Sequence, residues 1–280
     1  MRPGDTSSSK RDIGENVQLK LETRRICKEF AGGNLQPLRV LADISLQIHS
    51  SEFVSIVGSS GCGKTTFLRI LDGLIPPSAG EVLIDGQKVI GPGPNRGFVF
   101  QKDSLWPWRT TTGNILFGLQ IQRRARAEAR AIAQQLIELV GLKGFETHYP
   151  HQLSGGMRQR VNLARALAID PEVLLMDEPF ASLDAQTREV MQLELIRIWN
   201  SRRKTVVFVT HQIDEAVFLS DRVVVLAARP GRIKDIVPIE LPRPRRFVIK
   251  RSSEFVAHVD KIWNLLEEEV FGPSGLQRPS

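Results

Sequence analysis

The sequence predicts an α/β fold with a largely parallel central sheet, and three observations carry that reading. Residues 53–57, 173–176, 206–209 and 223–226 are short, nearly unbroken apolar runs, as strands covered on both faces require. Helical patterns fall between these runs, and strands alternating with helices build an α/β architecture. The first ninety residues behave differently, with segments that alternate apolar and polar in the manner of half-buried, antiparallel-type strands.

Taken in order, residues 1–16 are polar and are expected to form a mobile tail. Val17, Leu19 and Leu21 then alternate with Gln18, Lys20 and Glu22, and Ile44, Leu46 and Ile48 alternate with Ser45, Gln47 and His49. Residues 82–84 run into Asp85-Gly86, a strand followed by a hairpin turn. After the run at 53–57, a helix carries Phe67, Leu68 and Leu71 on one side, closes at Gly73 and is blocked by Pro76-Pro77. Ala129, Ile132, Ala133, Leu136 and Val140 mark one face of another helix, ended by Gly141. A further helix is expected from Arg158 to Ala168. The stretch from about 103 to 169 is mostly helical and is expected to form its own lobe. Pro238, Pro242 and Pro244 break the chain near residue 245, leaving 246–280 as a C-terminal extension. The basic run Arg243, Arg245, Arg246, Lys250 and Arg251 is expected to be a solvated tail, as are Arg123, Arg124, Arg126 and Arg130 on a helix face.

Composition narrows the function classes. The 280 residues are 41% hydrophobic and 25% charged, close to the globular norm, which excludes wholesale disorder. The longest apolar run, 223–228, falls far below the ~18 residues of a spanning helix. No apolar segment of secretory type lies within residues 1–12. Two cysteines, Cys27 and Cys62, build no disulfide framework and point to a reducing compartment. The net charge of +7 favours anionic partners without choosing among nucleotides, nucleic acid and lipid head groups.

The sharpest motif is Gly58-Ser59-Ser60-Gly61-Cys62-Gly63-Lys64-Thr65-Thr66. It fits G-x-x-x-x-G-K-[ST], with a buried-type strand before it and a helix after it. The glycines let backbone N–H groups turn inward around a phosphate, and the helix N-terminus adds positive potential. Lys64 reaches the β- and γ-phosphates, and Thr65 offers its hydroxyl to Mg²⁺. Cys62 reads as a tolerated small residue beside the expected phosphates.

Residues 173–179 are an apolar strand ending in Asp177, Glu178 and Pro179. Parallel sheets place functional groups at the carboxyl ends of their strands. Asp177 is therefore the candidate Mg²⁺ ligand, and Glu178 the candidate acceptor of a proton from attacking water. Leu153-Ser154-Gly155-Gly156-Met157 precedes the third helix, with Ser154 of N-cap type and two glycines exposing N–H groups to a second anion.

Together these residues resemble the ATPase subunit of an ABC transporter, over about residues 17–245. The lesser motifs agree: Gln101 resembles the Q-loop glutamine, residues 181–184 ending in Asp184 resemble the D-loop, and His211 resembles the switch histidine. Phe30 is similar to the aromatic residue that stacks on adenine, where members often carry Tyr. Met157 stands where many members carry Gln. The resemblance implies a P-loop NTPase (RecA-like) α/β core with an antiparallel β lobe and a helical signature lobe. It also implies ATP and Mg²⁺ as ligands, Mg²⁺ being held by Thr65, Gln101 and Asp177. ATP would lie between the P-loop of one subunit and Ser154, Gly155 and Gly156 of the other, in a head-to-tail homodimer. The expected partners are integral-membrane permease subunits and, indirectly, a periplasmic or surface solute-binding protein. The expected location is the cytoplasmic face of the membrane.

Residues 105–110 and 228–233 look like the nitrate/sulfonate/taurine importer ATPases. Trp106 and Trp108 suit either contact with the membrane subunit or a place in the core of the helical lobe. A DNA-associated ABC ATPase is the alternative raised by the basic balance. That class carries a long coiled coil or zinc modules between P-loop and signature, whereas here 89 residues separate Lys64 from Ser154, without heptads or CxxC. No nucleic-acid partner is therefore expected.

Overall fold

The four apolar runs become adjacent strands of one sheet in the computed structural model, which describes residues 18–32, 35–102 and 104–271. The expected tail at 1–16, and Val17, lie outside the described residues. Two long strands open the chain, β1 (Leu19–Gly32) and β2 (Leu35–His49), followed by β3 (Phe53–Gly58) and α1 (Lys64–Asp72). Next come β4 (Ala79–Ile84), β5 (Gln87–Lys88) and β6 (Arg96–Val99). Three helices follow, α2 (Thr111–Ile121), α3 (Arg126–Leu139) and α4 (Gly155–Ala168). The chain then alternates through β7 (Val173–Asp177), α5 (Ala185–Arg202), β8 (Thr205–Val209), α6 (Ile213–Leu219) and β9 (Arg222–Ala227). It ends with β10 (Arg232–Pro238) and α7 (Ser253–Phe271).

The strands sort into two sheets as their patterns require. The alternating segments form an antiparallel sheet in the order β2-β1-β4-β5. The apolar runs form the second sheet, in the order β10-β9-β3-β8-β7-β6, parallel except for the β10 edge. Period-2 side chains then fall into two separate cores. Val54, Ile56, Val173, Leu175, Val207, Val209, Val224 and Leu226 pack beneath the antiparallel sheet with α1. Phe53, Val57, Leu174, Met176, Val206, Phe208, Val223 and Val225 pack on the other face with α4, α5 and α6. Both faces are covered, which is why these strands read as unbroken apolar runs.

Two expectations need correction. The third helix begins at Gly155 rather than Arg158, because the Ser154 hydroxyl accepts the Met157 N–H at 3.3 Å and draws both glycines into the first turn. The C-terminal basic run is only in part solvated: Arg246 and Arg251 are exposed, but Arg243, Arg245 and Lys250 are covered. Arg245 is 3% exposed and donates to the carbonyls of Val217, Phe218 and Ser220 at the end of α6, and of Ile239 and Leu241. A guanidinium with five donors suits a helix end with unpaired carbonyls. Arg243 pairs with Asp221 and lies over the Trp199 ring, 4.2 Å from its centroid. Segment 246–271 docks rather than trails, for Phe255 and Ile262 are buried in the main core. The arginines at 123, 124, 126 and 130 are exposed, as expected, but only Arg126 and Arg130 stand on a helix, Arg123 and Arg124 lying in the turn between α2 and α3.

Candidate functional site

Register brings the candidate residues together. Asp177 at the end of β7 pairs with Val209 on β8, which pairs with Ile56 on β3, and Val99 on β6 pairs with Met176. The carboxyl ends of β6, β7, β8 and β3 therefore stand in a row, and the chain leaves each through Gln101, Glu178, His211 and the loop after Gly58. This is the edge of a parallel sheet at which ligands bind.

The loop 58–63 turns through Gly61 and Gly63, at φ +79° and +98°, a region open to glycine at no steric cost. Gly63 then caps α1. The Lys64 ammonium is folded back under the loop, donating to the carbonyls of Gly58 at 2.8 Å and Ser59 at 3.1 Å. Ser59 and Thr66 are partly exposed, Ser60 exposed. Cys62 is the small residue expected, 1% exposed and packed into the core with Leu41, Ile56 and Leu226. Its thiol lies 4.0 Å from the Lys64 ammonium.

Thr65 Oγ1 donates to Asp177 Oδ1 at 3.0 Å, which joins the start of α1 to the end of β7. Asp177 is 4% exposed. Burial pushes its carboxyl above the ordinary range, and the adjacent Glu178 charge pushes it the same way. The buried Asp177 carboxylate, the Thr65 hydroxyl bonded to it and the adjacent Glu178 carboxylate form an oxygen donor set suited to a hard cation, while exposed Gln101 meets Glu178 through its amide nitrogen. Thr65 and Asp177 thus have the chemistry to hold Mg²⁺, and Gln101 stands across Glu178 from them.

Glu178 holds φ +44°, a sparsely populated value for a non-glycine residue, and its N–H donates to Val209 O at 2.9 Å. Strain of this kind persists where the surroundings over-determine it. The result is a carboxylate turned back toward β8 and β6: Glu178 Oε2 lies 3.1 Å from His211 Nδ1 and 3.3 Å from Gln101 Nε2.

The remaining candidates lie on other elements. Ser154, Gly155 and Gly156 open α4 in the helical lobe. A Cβ at Gly156 would stand 2.6 Å from Thr187 Cγ2, so the bare backbone lets α4 approach α5. Asp184 caps α5, accepting the Thr187 N–H at 3.0 Å. Phe30 is 41% exposed on β1, with the Lys28 ammonium 5.0 Å from its ring centroid. Its strand partner Leu38 precedes Val40 and Leu41, which a Cβ on Gly63 would meet at 3.2 and 2.6 Å, so the antiparallel sheet touches the loop just there.

Sequence reasoning missed three supports. Asn114, fully buried, holds the 106–110 loop through the backbone of Trp106, Arg109 and Thr110. Trp108 is left 68% exposed, with its ring 5.3 Å from the Trp106 ring. Thr210 and Glu215 bracket His211, and Gly231 lies against the phosphate-type loop. A polar residue within an otherwise apolar helix face, as at Asn114 and Glu215, was the available signal.

Residues 41–181 match the ABC transporter family. The chain is similar to an uncharacterized ABC transporter ATP-binding protein of Methanocaldococcus jannaschii, with 53% identity over 95% of this chain and 97% of that one. It is 47% identical to the nitrate import ATP-binding protein NrtD of Synechocystis, over 89% of this chain and 95% of that one. Among solved structures, it resembles a dimeric ATP-binding cassette in a post-hydrolysis state bound to ADP and Pi. That match has a TM-score of 0.71 and 33% identity, covering 79% of this chain and all of the other.

Proposed function

This chain belongs to the ABC transporter family of ATP-binding ATPases, and from that premise we propose that it powers uptake of a small solute through a partner membrane permease. Nitrate, sulfonates, taurine and similar small solutes are the class. The nitrate import relative and the 105–110 and 228–233 segments support that class. The observation that carries the hydrolytic reading is the cluster at the sheet's carboxyl edge, where Lys64, Thr65, Asp177, Glu178, Gln101 and His211 converge.

In this reading the amides of residues 58–66 and the Lys64 ammonium hold the β- and γ-phosphates of ATP. Lys64 exchanges its two loop carbonyls for phosphate oxygens. Phe30 stacks on the adenine. Thr65, Asp177 and Gln101 hold Mg²⁺, which when bound neutralises phosphate charge. Glu178 accepts the proton of the attacking water. His211 and Gln101 hold that carboxylate in place.

The signature residues Ser154, Gly155 and Gly156, with Asp184, complete the site of a second copy arranged head-to-tail. Support comes from the single phosphate loop and single signature per chain and from the dimeric state of the similar cassette. Trp108 and its neighbours face the permease. No described helix is long and apolar enough to cross a membrane. By its likeness to import ATP-binding proteins, the chain is placed on the cytoplasmic face, held there by the permease. A solute-binding protein acts on the far side.

Mixed mutants test the arrangement. Ser154→Arg obstructs the signature and Lys64→Ala disables the phosphate loop, so each alone is inactive. In a mixed dimer with sites formed in trans, one interface carries both defects and the other none, and ATPase activity returns. If each chain uses its own signature, both sites are defective and mixing restores nothing.

A further inference from the structure

Glu215 is 3% exposed on α6, and none of the steps above uses it. Leaving such a carboxylate unbonded in an apolar interior is costly. Here both oxygens are bonded. Gln192 Nε2 donates to Oε1 at 3.0 Å, and the Thr210 hydroxyl donates to Oε2. Thr210 immediately precedes His211. Its hydroxyl oxygen also accepts the Gln212 N–H at 3.0 Å, and its own N–H donates to Ile56 O at 3.2 Å on the strand entering the phosphate loop. The backbone on both sides of His211 is thereby fixed through one hydroxyl. The imidazole itself, half exposed, reaches Glu178 at 3.1 Å.

We propose that Thr210 and Glu215 are positioning residues for ATP hydrolysis, holding the loop that aims His211 at Glu178. Gln192 extends the tie to α5, the helix capped by Asp184, so one buried carboxyl links the switch loop to the D-loop helix. This rests on the ATPase reading above. A packing role alone would be met by an apolar side chain of similar size, with equal or better stability. The hydroxyl–carboxylate pair instead adds direction to a loop otherwise held only by backbone bonds, from Thr210 N–H to Ile56 O before His211 and from Ala216 N–H to Gln212 O after it.

The test is Thr210→Val, an isosteric loss of the hydroxyl, measured as single-turnover ATPase and as nucleotide affinity, in the parent and in a His211→Ala background. The expected result is turnover lowered at least about tenfold, because small misplacements of catalytic groups are costly. ATP affinity should stay within about twofold, since uniform binding is untouched. Thr210→Ser should retain most of the turnover. In His211→Ala, adding Thr210→Val should cost nothing more. An equal further loss in that background, a Thr210→Ser variant as slow as Thr210→Val, or parent-like turnover in Thr210→Val overturns the proposal alone. Parent-like turnover in His211→Ala overturns the histidine's role and the proposal together. Should Thr210→Val fail to fold, Glu215→Gln in the same two backgrounds decides. Its amide presents one oxygen to two donors, so turnover falls in the parent and not in His211→Ala.

Discussion

Oε2 of Glu178 lies 3.1 Å from Nδ1 of His211, joining the ends of two neighbouring strands, β7 and β8. The same oxygen faces Gln101 from β6. A carboxylate held from two sides and from a strained backbone has little freedom left, which is what proton transfer to a fixed acceptor needs.

Glu178→Gln keeps the shape and removes the proton acceptor. Turnover should fall at least ~10²-fold, the lower range for a general base. Nucleotide affinity should remain, and dimers with ATP trapped between the chains should accumulate. Near-normal hydrolysis in this variant would reject the role given to Glu178.

Lys64→Ala and Thr65→Ala should separate binding from metal use. Lys64→Ala removes a charge-assisted contact to phosphate and should weaken ATP binding itself. Thr65→Ala removes the hydroxyl that meets Asp177 and should raise the Mg²⁺ concentration needed for half-maximal activity. Titrations of ATP and Mg²⁺ that match the parent in both variants would end the phosphate-loop assignment.

Most of the site was legible because its chemistry is local. The residues 58–66 and 177–178 each carry their pattern within a few positions, and strand register then does the assembly. What escaped was non-local. The burial of Cys62 was one such feature: a loop pattern says nothing of which side a side chain takes, and here the thiol packs into the core with Leu226 while staying 4.0 Å from the Lys64 ammonium. The arginines at 243 and 245 looked solvated because only the fold shows that the carbonyl end of α6 lies within reach. Glu215 and Thr210 meet across the helix start, a contact that periodicity does not encode.

Asp72 should make stability depend on pH. Burial pushes its carboxyl up to about 6 from 3.8, with Arg96 opposing only in part. The native state then binds the proton more tightly than the unfolded chain. Ionisation therefore reduces stability as pH rises from about 4 through 6, and the full penalty stands above that. Asp72→Asn removes the titration, so its stability relative to the parent should improve between pH 4 and 8 by roughly 3 kcal/mol at most. Urea unfolding at both pH values measures it. A constant difference between the two proteins would show that Asp72 does not titrate in that window.

Gly231 should control nucleotide affinity from behind the loop. It belongs to Arg229-Pro230-Gly231-Arg232, the segment that reads like the nitrate-type importers. Its N–H donates to Val40 O at 2.8 Å and its carbonyl accepts from Ala42 N at 2.9 Å, so β2 clamps it on both sides. A Cβ there would stand 2.1 Å from Cys62 O and 3.0 Å from Leu41 Cδ2. Gly231 is held by two hydrogen bonds and yields poorly, so the methyl of Gly231→Ala must displace the Cys62 peptide. That peptide lies between Gly61 and Gly63, within the stretch whose amides are proposed to hold the phosphates. Stability should drop by about 1–3 kcal/mol, as for other overpacked sites. The affinity of the folded protein for ATP should also fall, because the amide cradle is misaligned. Gly91→Ala is the control, for a Cβ there meets nothing within 4 Å. Isothermal titration with ATP, at a temperature where both variants are folded, separates the two effects. A Gly231→Ala protein that is less stable yet binds ATP like the parent would sever the link between this segment and the phosphate loop.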